Sequence, residues 1–116
     1  MLEDPSTLPD IDRAVARIQS ARLAGECVAV YGDFDADGVT GTALLTLALR
    51  RFGISAEAYI PHRVYEGHGL NSTAIDKLAN RGVTLILTVD CGVTNVEEID
   101  YASSRGIDTI VTDHHV

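Results

Sequence analysis

One local pattern occurs three times in this chain and restricts its fold more than any other feature. Each copy passes from the end of a helix through an arginine and a glycine into an apolar strand. The copies are RRFGISAEAYIP (50–61), ANRGVTLILTVD (79–90) and SSRGIDTIVTD (103–113). Glycine ends helices because it readily adopts the left-handed backbone conformation. Helices that alternate with strands in this way predict an α/β fold, with a parallel sheet flanked by helices and right-handed crossovers.

Apolar spacing and capping residues predict the individual elements. Ile11, Ala14, Val15 and Ile18 recur at helical spacing after Asp10, which we expect to be the N-cap. The other helices are predicted over 40–52, over 72–81, and from a cap at Asn95 to 105. Strands are predicted over 27–31, 56–60, 85–89 and 109–111, and residues 61–71 are predicted to form a loop.

Composition limits the class of protein. The 116 residues, 46% of them apolar, predict one domain or part of one, with a helical lead-in over about 1–26 and an αβ core over 27–116. The net charge of −8 provides no attraction for nucleic acid or anionic membranes. Cys27 and Cys91 form no CxxC pattern, and no signal peptide or membrane-length apolar run is present. These features predict a cytoplasmic protein that does not associate with membranes.

Acidic residues and histidines follow three of the predicted strands. They are Asp33, Asp35 and Asp37 after the first strand, Asp90 after the third, and Asp113, His114 and His115 after the fourth. Parallel strands end at one edge of a sheet, so we expect these side chains to converge there. Carboxylates and imidazoles suit Mg²⁺ or Mn²⁺, and Zn²⁺ less well. Two such ions could activate a water molecule against a phosphoryl group.

The same acidic residues and histidines have other interpretations. A lone aspartate after a strand is commonly a helix cap or an Asx turn, and the histidine pair could be solvated. An EF-hand fits residues 33–38 but places Leu44 where a glutamate ligand is needed. A haloacid-dehalogenase-type phosphatase fits DADGV (35–39), but Lys77 is predicted mid-helix, where it could not serve that chemistry. That phosphatase class and a non-catalytic metal- or nucleotide-binding module stay open as alternatives.

Four segments together resemble one family. They are YGDFDADGVTGTALL (31–45), YIPHRVYEGHGLN (59–71), LTVDCGVTN (87–95) and the terminal VTDHHV (111–116). Their order and spacing resemble the DHH phosphoesterases, most closely the RecJ-type single-strand-specific exonucleases. The resemblance implies the N-terminal portion of a DHH domain, with a two-ion Mn²⁺ or Mg²⁺ site. It also implies 5′→3′ hydrolysis of single-stranded DNA in repair and recombination.

The resemblance also implies a role for each site residue. The implied metal ligands are Asp35, Asp37, Asp90 and His114. Asp90 would bridge the ions, and Asp33 would hydrogen-bond around the site. Asp113 would orient the histidine pair, and His115 would face the phosphate. Arg63 would contact the phosphate, or else be a solvated loop residue.

Some residues of this chain differ from the family pattern, and these differences limit the activities that the resemblance implies. Tyr31 stands where the family's inorganic pyrophosphatases have histidine, which argues against that activity. Oligoribonuclease-type and cyclic-dinucleotide phosphodiesterases remain alternatives. His68 replaces the usual tyrosine of RecJ-like sequences, which leaves the role of its loop open. The family's further aspartate ligand and second domain would follow Val116, so we expect this fragment to be weakly active or inactive alone and to self-associate.

Overall fold

The computed structural model describes residues 10–32, 36–61, 70–89 and 96–112. The helices of this part are α1 (Asp10–Ala24), α2 (Ala36–Arg51), α3 (Ser72–Asn80) and α4 (Val96–Ser104). Its strands are β1 (Cys27–Gly32), β2 (Ser55–Tyr59), β3 (Val83–Val89) and β4 (Asp108–Thr112). Of the helices seen in these segments, none has the length and apolar character that crossing a membrane requires.

The four strands form one sheet in the order β2-β1-β3-β4, and every neighbouring pair is parallel. The chain moves outward from β1 to β2 and then crosses back over β1 to reach β3 and β4. Helices connect the successive strands, as parallel pairing requires. The predicted α/β fold, a parallel sheet flanked by helices, is confirmed.

Two apolar clusters cover the two faces of the sheet. One joins β1 and β3 to α3 and α4, with Ile75, Leu78 and Ile86 fully buried. The other joins the opposite face to α1 and α2 through residues that include Ala21 and Leu49. Because both faces are covered, the strands read as nearly continuous apolar runs instead of alternating patterns.

The element boundaries differ from the predicted ones at several points. The largest difference is at α2, which begins at Ala36 and not at Thr40. Gly38 and Gly41 lower the helix propensity of this first part, so propensity alone favours a later start. Asp10 lies inside α1 and is not its cap, and β3 begins at Val83, two residues before the predicted start. The remaining ends agree with the prediction or differ by one residue, as fraying helix and strand ends commonly do.

The glycine of the repeated pattern ends its helix as predicted. Gly53 and Gly82 have φ angles of 85° and 86°, which residues with a Cβ atom rarely adopt. The Gly53 amide donates to the Arg50 carbonyl and the Gly82 amide to the Ala79 carbonyl, both at 3.0 Å. Each glycine therefore reverses the chain directly from a helix into the next strand.

An ion-pair network joins α1 to the amino ends of the strands. Arg17 donates through Nη2 to Glu26 Oε1 at 2.8 Å and through Nε to Asp108 Oδ2 at 2.7 Å. The Thr84 hydroxyl donates to Glu26 Oε1 at 2.6 Å. The hydrogen bonds from Arg17 and then Thr84 lower the pKa of Glu26, and the bond to Glu26 raises the pKa of Arg17. α1 is thereby attached to β3 and β4, at the edge opposite the predicted site.

Candidate functional site

Three neighbouring strands end at the same level of the sheet. Gly32, the last residue of β1, is paired with Val89, the last residue of β3. Val89 is paired in turn with Thr112, the last residue of β4. Neighbouring strands are about 4.8 Å apart, so the three strand ends fall within about 10 Å. The residues that follow them in the sequence are Asp33, Asp90 and Asp113.

Most of the predicted site residues lie outside the described part of the chain. Those outside it are Asp33, Asp35, Arg63, Asp90, Asp113, His114 and His115, together with the predicted cap Asn95 and most of the predicted loop. The backbone of Asp37 belongs to the first turn of α2. Within the described segments, no three His, Cys, Asp or Glu side chains are grouped as a metal site would require. The ligand assignments therefore remain predictions.

The described residues do show how α2 is held against this edge. A Cβ atom on Gly32 would overlap Thr42 Oγ1 and lie 2.9 Å from Thr42 Cβ and 3.1 Å from the Gly38 carbonyl oxygen. A Cβ atom on Gly41 would lie 3.2 Å from Val89 Cγ1. Glycine at both positions lets the amino-terminal half of α2 lie directly on β1 and β3. This contact sets where the helix begins relative to the strand ends.

Two threonines make the buried face of α2 compatible with this close packing. Thr42 Oγ1 donates to the Gly38 carbonyl at 2.6 Å, and Thr46 Oγ1 donates to the Thr42 carbonyl at 2.7 Å. Both side chains are buried, and a buried hydroxyl without a partner costs about 1–3 kcal/mol. Bonding within the helix therefore satisfies both hydroxyls where the helix meets the sheet.

A tyrosine positions the start of α3 on the opposite face. Tyr31 is fully buried and stacks on Tyr59 with ring centroids 5.5 Å apart. Its hydroxyl accepts a hydrogen bond from Asn71 Nδ2 at 3.2 Å, while Asn71 Oδ1 caps α3 by accepting from the Ala74 amide at 2.9 Å. Asn71, the last residue of the EGHGLN segment, thus connects the start of α3 to the carboxyl end of β1.

The amino ends of three helices lie at this edge. α2, α3 and α4 each follow the carboxyl end of a strand, so their amino ends lie on the same side as the strand ends. A helix amino end carries partial positive charge and unpaired amide groups. The edge therefore combines acidic sequence with helix ends that favour a phosphate group.

A family comparison agrees with this architecture. Residues 27–116 match the model of the DHH family, N-terminal domain. The chain belongs to the DHH family. The matched residues begin at Cys27, the first residue of β1, and include every strand of the sheet.

Curated relatives of this DHH chain include several RecJ exonucleases. It is 40% identical over 112 residues to the single-stranded-DNA-specific exonuclease RecJ of Bacillus subtilis, and 43% identical over 110 residues to that of Escherichia coli. These alignments include 97% and 94% of this chain but only 14% and 19% of the relatives. The chain therefore spans less than a fifth of the length of either protein.

Solved structures show the same fold. The crystal structure of exonuclease RecJ bound to manganese superposes with a TM-score of 0.83 at 39% identity, covering 94% of this chain and 28% of that chain. The structure of RecJ from Thermus thermophilus in complex with Mn²⁺ superposes with a TM-score of 0.76 at 34% identity, covering 95% and 15%. Both similarities extend over nearly the whole DHH segment described above.

Sequence reasoning did not find the residues that position this edge. Gly32, Gly41 and the Tyr31–Asn71 hydrogen bond had no predicted role. A usable signal was present, because glycine at a strand end and inside a helix marks close backbone approach. The partner of each glycine is distant in sequence, so only the folded chain identifies it.

Proposed function

We propose that this chain supplies metal-binding residues of a RecJ-like exonuclease that hydrolyses phosphodiester bonds of single-stranded DNA in the 5′→3′ direction. The observation that carries the proposal is the common level of Gly32, Val89 and Thr112. Each is followed by an aspartate. In the proposal, strand ends this close would bring carboxylates from three separate segments to one edge.

The donor set fits the proposed ions. Aspartate carboxylates, with imidazole as a further donor, are the ligands that Mn²⁺ and Mg²⁺ accept in proteins. Carboxylates this crowded would repel one another unless a cation offset their charge. We assign Asp35, Asp37, Asp90 and His114 as ligands. The RecJ structures in complex with Mn²⁺ and Mg²⁺ support this choice of metal.

The chain's own residues prepare the site for a phosphodiester. When bound, the two ions would supply a hydroxide and stabilise the charge that develops at phosphorus. Asp113 would orient the histidine pair, His115 would face the phosphate, and Asp33 would hydrogen-bond around the ligands. Arg63 would contact the phosphate from the loop. The amino ends of α2, α3 and α4 would favour the same anion.

The relatives favour single-stranded DNA over the other substrates of the family. Curated RecJ relatives that align with most of this chain are named as single-stranded-DNA-specific exonucleases. The oligoribonuclease and cyclic-dinucleotide activities have no such support here.

We also propose that the chain divides at residue 27, where the family match begins. We further propose a cytoplasmic location, where DNA is accessible in bacteria.

The substrate is tested by exchanging this chain into a relative. We expect the 116 residues alone to release few or no nucleotides from a 5′-labelled single-stranded oligonucleotide with Mn²⁺. In place of the aligned segment of Bacillus subtilis RecJ, which is 40% identical, they are expected to retain single-strand exonuclease activity. The Asp35→Ala exchange would lose it.

Two results would contradict this proposal. Strong hydrolysis by the isolated chain, abolished by Asp35→Ala, would show that the rest of a RecJ-length protein is not needed. A folded exchange protein that binds Mn²⁺ but releases nothing from single-stranded DNA would exclude the substrate. Oligoribonucleotides and cyclic dinucleotides, offered to the same protein, would then test the alternatives.

We further propose that the chain self-associates through the outward face of α2. No charged residue occurs between Asp37 and Arg50, and Leu44 and Leu47 are 64% and 56% exposed. A helix that is apolar all round is typical of a buried position. Lys at both leucines is therefore expected to yield a monomer in sedimentation velocity over a wide concentration range. A wild-type chain that is monomeric throughout that range would contradict the proposal.

The control for this experiment places lysine elsewhere on the apolar surface. Leu23, on α1, is 86% exposed and lies outside the α2 face. Leu23→Lys adds one positive charge, as each lysine of the test variant does, at a leucine that is still more exposed. It is expected to leave self-association unchanged.

A further inference from the structure

A polar groove lies at the opposite edge of the sheet, where the strands begin. The first residues of three strands, Cys27, Ser55 and Val83, line a cavity of about 210 Å³. They are in register with one another. Arg50, at the end of α2, and Arg81, the C-cap of α3, also line it, as does Glu57. The groove thus collects two cations in a chain whose net charge is −8.

Arg50 is held in a fixed orientation with donors to spare. Its Nε donates to the Ala56 carbonyl at 2.7 Å, which anchors the guanidinium group to β2. Within the described residues, neither of its two terminal nitrogens donates a hydrogen bond. A guanidinium group anchored through Nε presents those nitrogens as a planar fork, which matches the geometry of a phosphate or carboxylate group.

Arg81 is only weakly engaged by its neighbours. Its Nη1 lies 3.4 Å from Glu57 Oε1, at the long limit of a hydrogen bond, and both side chains are about half exposed. Its guanidinium carbon lies 5.9 Å from the centre of the Tyr59 ring. An exposed ion pair of this kind contributes at most about 1 kcal/mol. An incoming anion can therefore compete with Glu57 for Arg81.

We propose that this groove binds an oxyanion, either a phosphate or a carboxylate group of a small solute, between Arg50 and Arg81. Two cations and one carboxylate leave the groove with net positive charge. Ser55, which carries a hydroxyl donor, lines the same groove. The groove lies at the amino edge of the sheet, remote from the acidic strand ends. The proposal is therefore independent of the nuclease function and of any metal.

The exposed Cys27 thiol provides a direct reporter of occupancy. In a Cys91→Ser background, the rate of Cys27 alkylation by iodoacetamide, an uncharged reagent, is measured against increasing inorganic phosphate. Sodium chloride at equal ionic strength is the control for screening. Phosphate is expected to slow alkylation several-fold and saturably, and chloride is expected to have little effect.

Matched variants identify the groups responsible. Arg50→Gln and Arg81→Gln are each expected to abolish the protection, with circular dichroism confirming the fold. Arg51→Gln removes the same charge from the neighbouring position, outside the groove, and should leave protection unchanged. Glu57→Gln removes the competing carboxylate, so protection is expected at lower phosphate concentration. Acetate, tested in parallel, distinguishes a general oxyanion site from one specific for phosphate.

The competing explanation is that both arginines only offset the partial negative charge of helix carboxyl ends. It predicts no saturable protection by phosphate or acetate. It also predicts that Arg50→Gln and Arg51→Gln change the rate of Cys27 alkylation equally. Either result in folded protein would overturn the proposed site.

Discussion

Asp90→Asn is expected to abolish binding of Mn²⁺ to the 116-residue chain in a calorimetric titration. Asp90 follows Val89, the last residue of β3, and β3 lies between β1 and β4 in the sheet. A residue after the middle strand is the one that can reach ligands on both sides, which fits its proposed bridging role. Asparagine retains the size of the side chain but removes the charge. Abolished binding means that the affinity falls by more than about tenfold, which is more than about 1.4 kcal/mol of binding free energy.

The matched control is Asp100→Asn. Asp100 is an exposed aspartate on α4, so this variant changes the net charge equally without touching the proposed site. It should bind Mn²⁺ as the wild type does. Without metal, Asp90→Asn should not lower the free energy of unfolding, because it relieves repulsion among neighbouring carboxylates. Destabilisation without metal would indicate that Asp90 is a cap or turn residue.

The absence of binding to the wild-type chain would have two explanations. Either residues beyond Val116 complete the site, or the aspartates are only turn residues. The exchange protein in Bacillus subtilis RecJ distinguishes them. Binding there that Asp90→Asn removes would support the metal site, and no binding there would contradict it.

Gly32→Ala is expected to lower the free energy of unfolding by roughly 2–3 kcal/mol, the upper part of the range for overpacked sites. The new methyl group would overlap Thr42 Oγ1 and lie 3.1 Å from the Gly38 carbonyl oxygen, which belongs to the helix backbone. Rotation of Thr42 alone cannot relieve both contacts, so α2 must move away from β1. Gly32 has no positive φ, so the expected effect is steric. Urea denaturation measures it.

The same substitution at Gly41 provides the comparison. A Cβ atom there would meet a single methyl group, Val89 Cγ1, at 3.2 Å. Alanine in a helix interior also gains about 0.5–1 kcal/mol over glycine, so Gly41→Ala should be close to neutral. Adding Thr42→Ala to Gly32→Ala removes the overlapping hydroxyl and should restore part of the stability. Equal stability of Gly32→Ala and wild type would show that α2 does not pack as closely as described.

The movement of α2 also connects stability to the proposed site. Asp37 lies in the first turn of this helix, and the contact between Gly32 and Thr42 sets the height of that turn above β1. Gly32→Ala is therefore expected to weaken Mn²⁺ binding even where the protein remains folded. A folded Gly32→Ala variant with unchanged affinity for Mn²⁺ would show that metal binding does not depend on the position of α2.

Much of the fold was predictable because its signals are local. The arginine–glycine pattern specified where three helices end, and Gly53 and Gly82 adopt the backbone conformation that it implies. Apolar runs such as Leu85–Leu87 indicated strands covered on both faces, as the two buried clusters confirm. The start of α2 was not predictable. Its glycines read as poor helix formers, and their packing against Gly32 and Val89 outweighs that preference.

The sequence by itself determined the class of fold and the candidate site residues, since residue types at strand ends and glycine after helices act over a few positions. Only the tertiary structure decided the strand order, the common level of Gly32, Val89 and Thr112, and the bond from Asn71 to Tyr31. It also decided that Arg50 and Arg81 line one groove. These relations join residues that are far apart in the sequence, and packing of the whole sheet selects them, which no local pattern encodes.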